Sequence, residues 1–419
     1  MTFEIGFVLV ATFIMLIMLI INVAKPSIII FLTLSLFLLT GIIAPEEALR
    51  GFSNQSVITI ALLFIVTNAI KKVGVFYHLI EILLNNSKNP KISFLRLILP
   101  VSLFSAFLNN TPITMMFIPV VKKWCNNKEI SPSKFLLPLS YASIFGGMLT
   151  LIGSSTNLVV HGMMLENQLD GFSMFQLSII GVPASILGIF YLFFFGYDLL
   201  PSQVQTKYQE DISSISSFVR PRMTNFKTVI VITTFILMVF LVAFRIFTTF
   251  QSALIAVIIL ILTKIISPKE IKNIIDFNVL ILIASSFGVG VALNKTGAGF
   301  YLVYKILQWV TQFGLIGIIL FVYIMTNLIT EVINNNGAAM IMFPVVLEIA
   351  HQLNIEPTPL MMTLTIAASA SFSTPIGYQT NLLVYRPGGY KFSDYIKVGL
   401  PLNFIFMAVT VFILGIIYG

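Results

Sequence analysis

Cysteine is all but absent: Cys125 is the only one in 419 residues. That excludes an intramolecular disulfide and any cysteine-built metal cluster. Histidine is scarce too, and His78, His161 and His351 stand near the ends of apolar runs at no metal-ligand spacing. Charged side chains make up only 10% of the chain. No Gly-rich phosphate loop and no nucleophile–base pair is present, which argues against a nucleotide-driven pump and against an enzyme. The start, Met1-Thr2-Phe3-Glu4, lacks the basic region of a signal peptide, so the first apolar run is expected to be a retained span.

What is there is apolar. Hydrophobic residues make up 58% of the chain, and the mean hydropathy is +0.99. A soluble domain cannot hide that much apolar surface, so the fold class is an all-α polytopic membrane protein with the lipid bilayer as its surroundings. The net charge of +8 sits in short loops between apolar runs. It reads as membrane orientation, not as a nucleic-acid surface.

One stretch organises the rest. Phe107-Leu108-Asn109-Asn110-Thr111-Pro112-Ile113-Thr114 is a polar knot between two apolar legs. Each leg is shorter than the roughly 20 residues a spanning helix needs, which suggests a re-entrant hairpin. The stretch recurs. Ile333-Asn334-Asn335-Asn336-Gly337 through Pro344 matches Leu108 to Pro119. Gly153-Ser154-Ser155-Thr156-Asn157 likewise matches Gly377-Tyr378-Gln379-Thr380-Asn381, and Lys72-Val73-Gly74 matches Lys295-Thr296-Gly297 more weakly. Three pairs in order at nearly one spacing indicate an internal two-fold repeat, and interrupted apolar segments in matching places point to a transporter's binding site.

Length and apolarity place spans at about 5–23, 27–43 and 56–72, a hairpin at about 94–122, a broken span at 134–163 and a span at 173–197. Residues 69–85 are amphipathic and expected at the interface. After a polar cytoplasmic linker at 198–225 the order repeats: spans at 226–244, 250–266 and 276–294, a hairpin at 313–348, a broken span at 359–385 and a last span at 396–418. The expected architecture is therefore two repeats, 1–197 and 226–419, with ten spans and two hairpins. Five spans per half make the repeats inverted. Placing the loops at 71–96, 122–134, 198–227, 264–272 and 386–397, with Lys25 in the first loop, in the cytoplasm leaves only Arg50, Arg245, Lys295 and Lys305 on the other side. The positive-inside rule then puts both termini outside a cell (inner) membrane crossed many times.

Within each interruption a half-helix is expected to start. Asn110 or Thr111 caps the second leg of the first hairpin, and Pro112 suits a first turn. Ile152-Gly153 is expected to end one half-helix and Thr156-Asn157 to open the next. The second half supplies Asn335 and Asn336, then Gly377 with Thr380 and Asn381, with a further break at Thr374-Pro375. Four helix N-termini, each carrying about half a positive charge, suit a dianion without Lys or Arg at depth. Freed carbonyls and Asn and Ser oxygens suit Na⁺ beside it. The plainer alternatives are Asn side chains that bond neighbouring helices and glycines that let helices pack closely. Glu331 is the acidic residue expected within the bilayer, where it binds a cation, relays protons or serves structure; Ala106 stands at the matching place.

At these motifs the chain resembles the divalent anion:sodium symporter family, within the ion-transporter superfamily that includes citrate and arsenite carriers, over nearly its whole length. That family carries Ser-Asn-Thr at each hairpin tip; here the tips read Asn109-Asn110-Thr111 and Asn334-Asn335-Asn336. The strings Gly153 to Asn157 and Gly377 to Asn381, with Val384-Tyr385-Arg386-Pro387-Gly388-Gly389-Tyr390, are similar to a sulfate-permease-like branch with a citrate-transporter-like domain. The resemblance implies one Na⁺ site at Asn109, Asn110 and Gly153 and its mate at Asn334, Asn335 and Gly377. It implies an anion held by Asn110, Thr111, Ser154, Asn335, Asn336 and Thr380, a homodimer and an elevator mechanism, with Na⁺ as coupling ion and no organic cofactor. Tyr378 and Gln379 replace smaller residues of dicarboxylate carriers, so sulfate is favoured. The alternatives are a Na⁺/H⁺ exchanger or an oxyanion efflux carrier on the same scaffold, and, as another class, a receptor that binds anion without flux.

Overall fold

The computed structural model describes residues 3–20, 23–53, 55–73, 83–84, 89–202, 225–244, 246–298 and 311–419. Most of the linker expected at 198–225, most of the amphipathic stretch 69–85, and Gly74, Arg245 and Lys305 lie outside the described residues. Every described element is helical, and no strand occurs among the described residues.

The chain opens with α1 (Phe3–Ile20), α2 (Pro26–Leu39), the short α3 (Pro45–Leu49) and α4 (Gln55–Val73). Next come α5 (Pro90–Ser105) and α6 (Asn110–Asn127), then α7 (Ser133–Gly147) and α8 (Ser155–Glu166). The half closes with α9 (Ser178–Tyr191), which a π turn at Leu192–Gly196 carries on to Leu199. The second half has α10 (Asn225–Ala243), α11 (Thr249–Leu262), α12 (Pro268–Ile274) and α13 (Phe277–Thr296). It continues with α14 (Gly314–Thr330), α15 (Asn335–Leu353), α16 (Pro357–Ser369), α17 (Gln379–Gly388) and α18 (Phe392–Tyr418).

Helix starts follow local chemistry. Asn89 caps α5, its side chain accepting from Lys91 N at 2.9 Å, and Pro90 takes the first turn, where its missing N–H costs nothing. Ser267 and Glu270 form a reciprocal capping box on α12, as Thr248 and Gln251 do on α11. Pro119 inside α6 and Pro344 inside α15 occupy matching places. Among the described residues three helical stretches are long and apolar enough to cross a membrane: Pro45–Ile70, Ser178–Leu199 and Phe392–Tyr418. The α12–α13 pair, bent by 63°, makes a fourth. Other expected spans fall on shorter apolar helices, among them Phe3–Leu19, Ser27–Leu39, Phe226–Val242 and Thr249–Leu262.

The helices pack in two groups. In one, α13 lies on α2, α4 on α11, and α10 on α11. In the other, α7 packs on α5, α6 and α17, while α16 packs on α14, α15 and α18. α7 is buried on every face apart from Lys134, and α16 is buried from Pro359 to Ser369, as helices apolar all round must be. Tyr141 and Phe145 of α7 stack edge-on with Phe372, which in turn packs on Phe406 of α18. This aromatic cluster joins the halves. α8 and α15 contact α13 across the boundary between the groups.

Candidate functional site

The interruptions are tight turns. α5 ends at Ser105 and α6 begins at Asn110, so the first tip is 106–109. The second tip, 331–334, separates α14 from α15. Breaks at 148–154 and 370–378 separate α7 from α8 and α16 from α17. The caps sit one or two residues before the expected places. Asn109 holds the N-cap position of α6 without a side-chain bond, and Asn334 caps α15, its Oδ1 accepting from Gly337 N at 2.9 Å. Ser154 caps α8, its Oγ accepting from Thr156 N at 3.3 Å. α7 ends at Gly147 rather than near Ile152, because Met148, Leu149 and Gly153 are already in turns.

The two halves repeat a hydrogen-bond pattern. Asn157 Nδ2 donates to Gly147 O and Thr150 O, both at 2.8 Å. Asn381 Nδ2 does the same to Ser371 O and Thr374 O, both at 3.0 Å. These amides satisfy carbonyls that each break frees. Thr150 Oγ1 donates to Ala106 O, and Thr374 Oγ1 to Glu331 O at 2.7 Å, so each break is tied to the tip of its own half. Each tip also reaches the other half's helix start. Thr111 Oγ1 donates to Gln379 Oε1 at 3.0 Å, and Asn336 Oδ1 accepts from Thr156 Oγ1 at 2.8 Å.

Two side chains at the centre are fully engaged. The amide of Asn110 is oriented by its surroundings: its nitrogen donates to Ser105 Oγ at 2.7 Å, Ser143 O at 2.9 Å and Gly153 O at 3.3 Å, and its oxygen accepts from the Tyr378 hydroxyl. A Cβ on Gly147 would meet this amide at about 2.5 Å, so the glycine makes the seat. The Tyr378 hydroxyl also faces the side chains of Ser154 and Asn335. One phenol thus joins both tips and both breaks.

A cavity of about 320 Å³ opens at this junction. Asn109, Thr111 and Pro112 line it from the first tip, Ser155 and Thr156 from α8, Asn334, Asn335 and Asn336 from the second tip, and Gly377, Tyr378 and Gln379 from the second break. The opposite wall comes from α4, with Thr67 and Asn68, and from the α12–α13 junction, with Asp276. Among the described residues no Lys, Arg or His lines it. Of the expected site residues, Asn109, Thr111, Asn334, Asn335, Asn336 and Gly377 reach the cavity. Asn110, Gly153, Ser154 and Thr380 stand behind its wall. Thr380 is fully buried, its hydroxyl accepting from Ser140 Oγ at 2.8 Å. Thr67, Asn68 and Asp276 were not expected; the signal for the first two is a polar pair inside the apolar run 56–72.

The two glycines mark oxygen-rich pockets. A Cβ on Gly153 would meet Gly147 O at 2.9 Å and Ala106 O at 3.0 Å. A Cβ on Gly377 would meet Thr330 O at 2.8 Å and Thr374 Oγ1 at 3.0 Å. Close approach of backbone oxygens requires glycine at both places, and such oxygens are donors that a hard cation accepts. His161 belongs to none of this: its Nδ1 accepts from Phe172 N at 2.9 Å and pins the loop after α8.

Comparison with known proteins agrees with this architecture. A family model described as citrate transporter matches residues 13–337 and 316–419. The chain is 22% identical to an uncharacterized transporter of Synechocystis, covering 92% of each protein, and the alignment, longer than this chain, includes residues of that protein with no counterpart here. It is 33% identical to a probable sodium/sulfate cotransporter of Chlamydomonas reinhardtii, over 41% of this chain and 20% of that one. The fold is similar to the YdaH transporter of Alcanivorax borkumensis, with a TM-score of 0.61 and 11% identity over 88% of this chain and 87% of that one. It is likewise similar to MtrF of Neisseria gonorrhoeae, with a TM-score of 0.60 and 14% identity over 89% and 83%.

Proposed function

The chain belongs to the citrate transporter family, whose members are membrane transporters and not enzymes, and from that premise we propose that it is a Na⁺-coupled symporter of a small divalent anion, sulfate before dicarboxylate. The observation that carries the reading is the cavity. The N-termini of α6, α8, α15 and α17 meet there, and among the described residues no basic side chain lines it, the one charged side chain being Asp276 on the opposite wall. Four half-charges sum to about two, which matches a dianion. The sodium/sulfate cotransporter names among partial relatives favour the same substrate and coupling ion.

In this reading the anion rests on Thr111, Asn335 and Asn336 and on the amides that open the four helices, while Ser154 caps α8 behind the wall and Thr380 supports the second break through Ser140. Na⁺ occupies the oxygen-rich pockets at Gly153 and Gly377, framed by Asn109 and Asn110 and by Asn334 and Asn335. Cation and anion then neutralise each other, so a loaded cavity crosses the bilayer more readily than a half-loaded one. That is the physical basis of symport. The repeated bonds of the two halves support two inverted repeats, 1–197 and 226–419, joined by the cytoplasmic linker 198–225, with ten spans and two re-entrant hairpins. The two packing groups support an elevator, with α1–α4 and α10–α13 as scaffold and the rest as the moving body, and the family resemblance carries the homodimer.

The test is uptake of radiolabelled sulfate and succinate into proteoliposomes with and without an inward Na⁺ gradient. Na⁺-driven accumulation of sulfate above succinate is the expected result, and equal uptake without the gradient refutes coupling. Orientation is read separately. Asn167→Cys and Gln352→Cys should label from outside and Ser214→Cys only after permeabilisation, against a background in which Cys125 is buried.

A further inference from the structure

Among the described residues the cavity is lined by one acid, and that acid stands on the scaffold side. Asp276 sits at the bend between α12 and α13, and of the lining residues only Asp276 and Gln379 are exposed. The mouth of the cavity is therefore beside this carboxylate. Its Oδ1 caps α13, accepting from Asn278 N at 3.0 Å and Asn278 Nδ2 at 3.2 Å, and its carbonyl accepts from Leu280 N at 3.3 Å. Asn278 Oδ1 accepts in turn from Ser27 Oγ of α2 at 3.4 Å. The carboxylate is thus fastened to two helices of one packing group, while both tips and the four helix starts that meet at the cavity belong to the other. No cation cancels it. Lys72, at the end of α4, is paired with Glu270 of α12 at 2.7 Å, and none of the ion pairs among the described residues includes Asp276. Lys269 and Lys272 of α12 are exposed and do not line the cavity. Glu331, the acid at the second tip, does not line it either. Its Oε1 accepts from Phe372 N at 3.0 Å, Ser373 N at 2.9 Å and Asn403 Nδ2 at 2.7 Å.

We propose that Asp276 weakens the hold on the anion at the cytoplasmic face, as a negative charge fixed to the scaffold that the anion site meets at one end of its travel only. This role rests on the symport, orientation and elevator readings. Residues 264–272 are cytoplasmic in that orientation, so the mouth beside Asp276 is the cytoplasmic one. From the moving side, four helix starts present about two positive charges. From the scaffold, the start of α13 offers about half a positive charge and the carboxylate a full negative one, which leaves the wall about half negative. A dianion is repelled by that wall twice as strongly as a monovalent ion at the same place. When the moving body carries the site outward, Asp276 stays behind with α2 and α13. The anion leaves its field once they are separated by more than a Debye length, about 8 Å at physiological salt. The anion is then held less tightly where it is released than where it is captured. Na⁺ gains less than the anion loses, because it carries one charge and sits behind the cavity wall at Gly153 and Gly377. The capping role is separable from the charge. Asn caps a helix about as well as Asp, so Asp276→Asn removes the charge and keeps an acceptor for Asn278 N.

The test compares the two faces of the membrane. Wild type and Asp276→Asn are reconstituted into proteoliposomes, and sidedness is read from cysteine labels at Asn167 and Ser214. The KM for radiolabelled sulfate is measured for influx, at the outer face, and for efflux, at the cytoplasmic face. Asp276→Asn should lower the cytoplasmic KM by about threefold to tenfold relative to the outer one, and Asp276→Lys should lower it further. Choline chloride at high concentration should shrink the difference, since salt screens an exposed charge. The half-saturating Na⁺ concentration at the cytoplasmic face should not fall with the sulfate KM. Should Asp276→Asn fail to fold, Asp276→Ser serves, because serine also caps. An equal change at both faces, no change, or a rise in the cytoplasmic KM overturns the proposal and leaves symport standing. A shift of the expected size that salt does not reduce also overturns it, because it is then not electrostatic. A wild type that moves neither sulfate nor succinate refutes the anion reading, and the role of Asp276 falls with it.

Discussion

Asn110 and Asn335 hold matching places in the two halves, and truncating each to alanine should have different consequences. Asn110 is buried and makes four contacts, to Ser105, Ser143, Gly153 and Tyr378. At about 0.5–1.5 kcal/mol for each net bond, with the 3.3 Å contact counted as weak, its loss costs about 3–4 kcal/mol. Asn335 lines the cavity. Its oxygen accepts from Thr330 Oγ1 at 3.1 Å, a hydroxyl that keeps Ala368 O at 2.7 Å when the amide is gone. Its loss costs about 1 kcal/mol. In a chain of this size the gap of about 2 kcal/mol lowers the midpoint of Asn110→Ala by about 2–4 °C more than that of Asn335→Ala. Thermal unfolding in detergent measures it. Uptake should split the other way in kind: Asn335→Ala stays folded and raises the KM for the anion. Equal melting shifts, or a larger one for Asn335→Ala, would refute the distinction between a residue of the frame and a residue of the cavity.

Other outcomes follow from single contacts. Tyr378→Ser, which copies Ser154 in the matching place, removes an aromatic ring from the cavity wall and should shift preference toward succinate over sulfate by about tenfold, or about 1.4 kcal/mol, read by competition in uptake. Gly153→Ala puts a Cβ 2.9 Å from Gly147 O and 3.0 Å from Ala106 O, neither of which moves without backbone movement. It should cost about 1–3 kcal/mol in thermal unfolding and abolish uptake. Burial pushes Glu166, at the end of α8, up to about 7, against the opposing pull of Arg50. An unfolded carboxyl titrates near about 4.3, so the folded protein binds the extra proton between these values. Its stabilising contribution is full below the unfolded value and is lost as pH rises through about 7. Glu166→Gln should therefore flatten the fall in melting temperature between about pH 4.3 and about pH 7, and an unchanged profile would show that another group causes it.

Much of the site was legible because interruptions are local chemistry. Asn, Thr, Gly and Pro in an apolar run break a helix wherever it folds, and their recurrence at Asn109 to Pro112 and Asn334 to Gly337 located both tips. Capping positions slipped by a residue or two, since the Ser105–Asn110 and Thr330–Asn335 bonds draw the second residue of each motif inward and leave the first to hold the N-cap. Glu331 was visible as a buried acid, but its partners were not. They come from residues 41 to 72 positions further on, and no periodicity reports such pairings.

By itself the sequence determined the class of the molecule, its apolar helices, its four interruptions and the absence of basic side chains near them. Those properties depend on each residue's own preference for lipid, helix or turn. Tertiary structure alone decided which oxygens and amides face the cavity. Asn110 and Tyr378 meet across 268 positions of chain, Thr111 and Gln379 across 268, and Asn336 and Thr156 across 180. Such contacts exist because α7 and α16, apolar on nearly every face, must be buried together with the breaks that follow them. Their burial carries the helix starts of the two halves into one place.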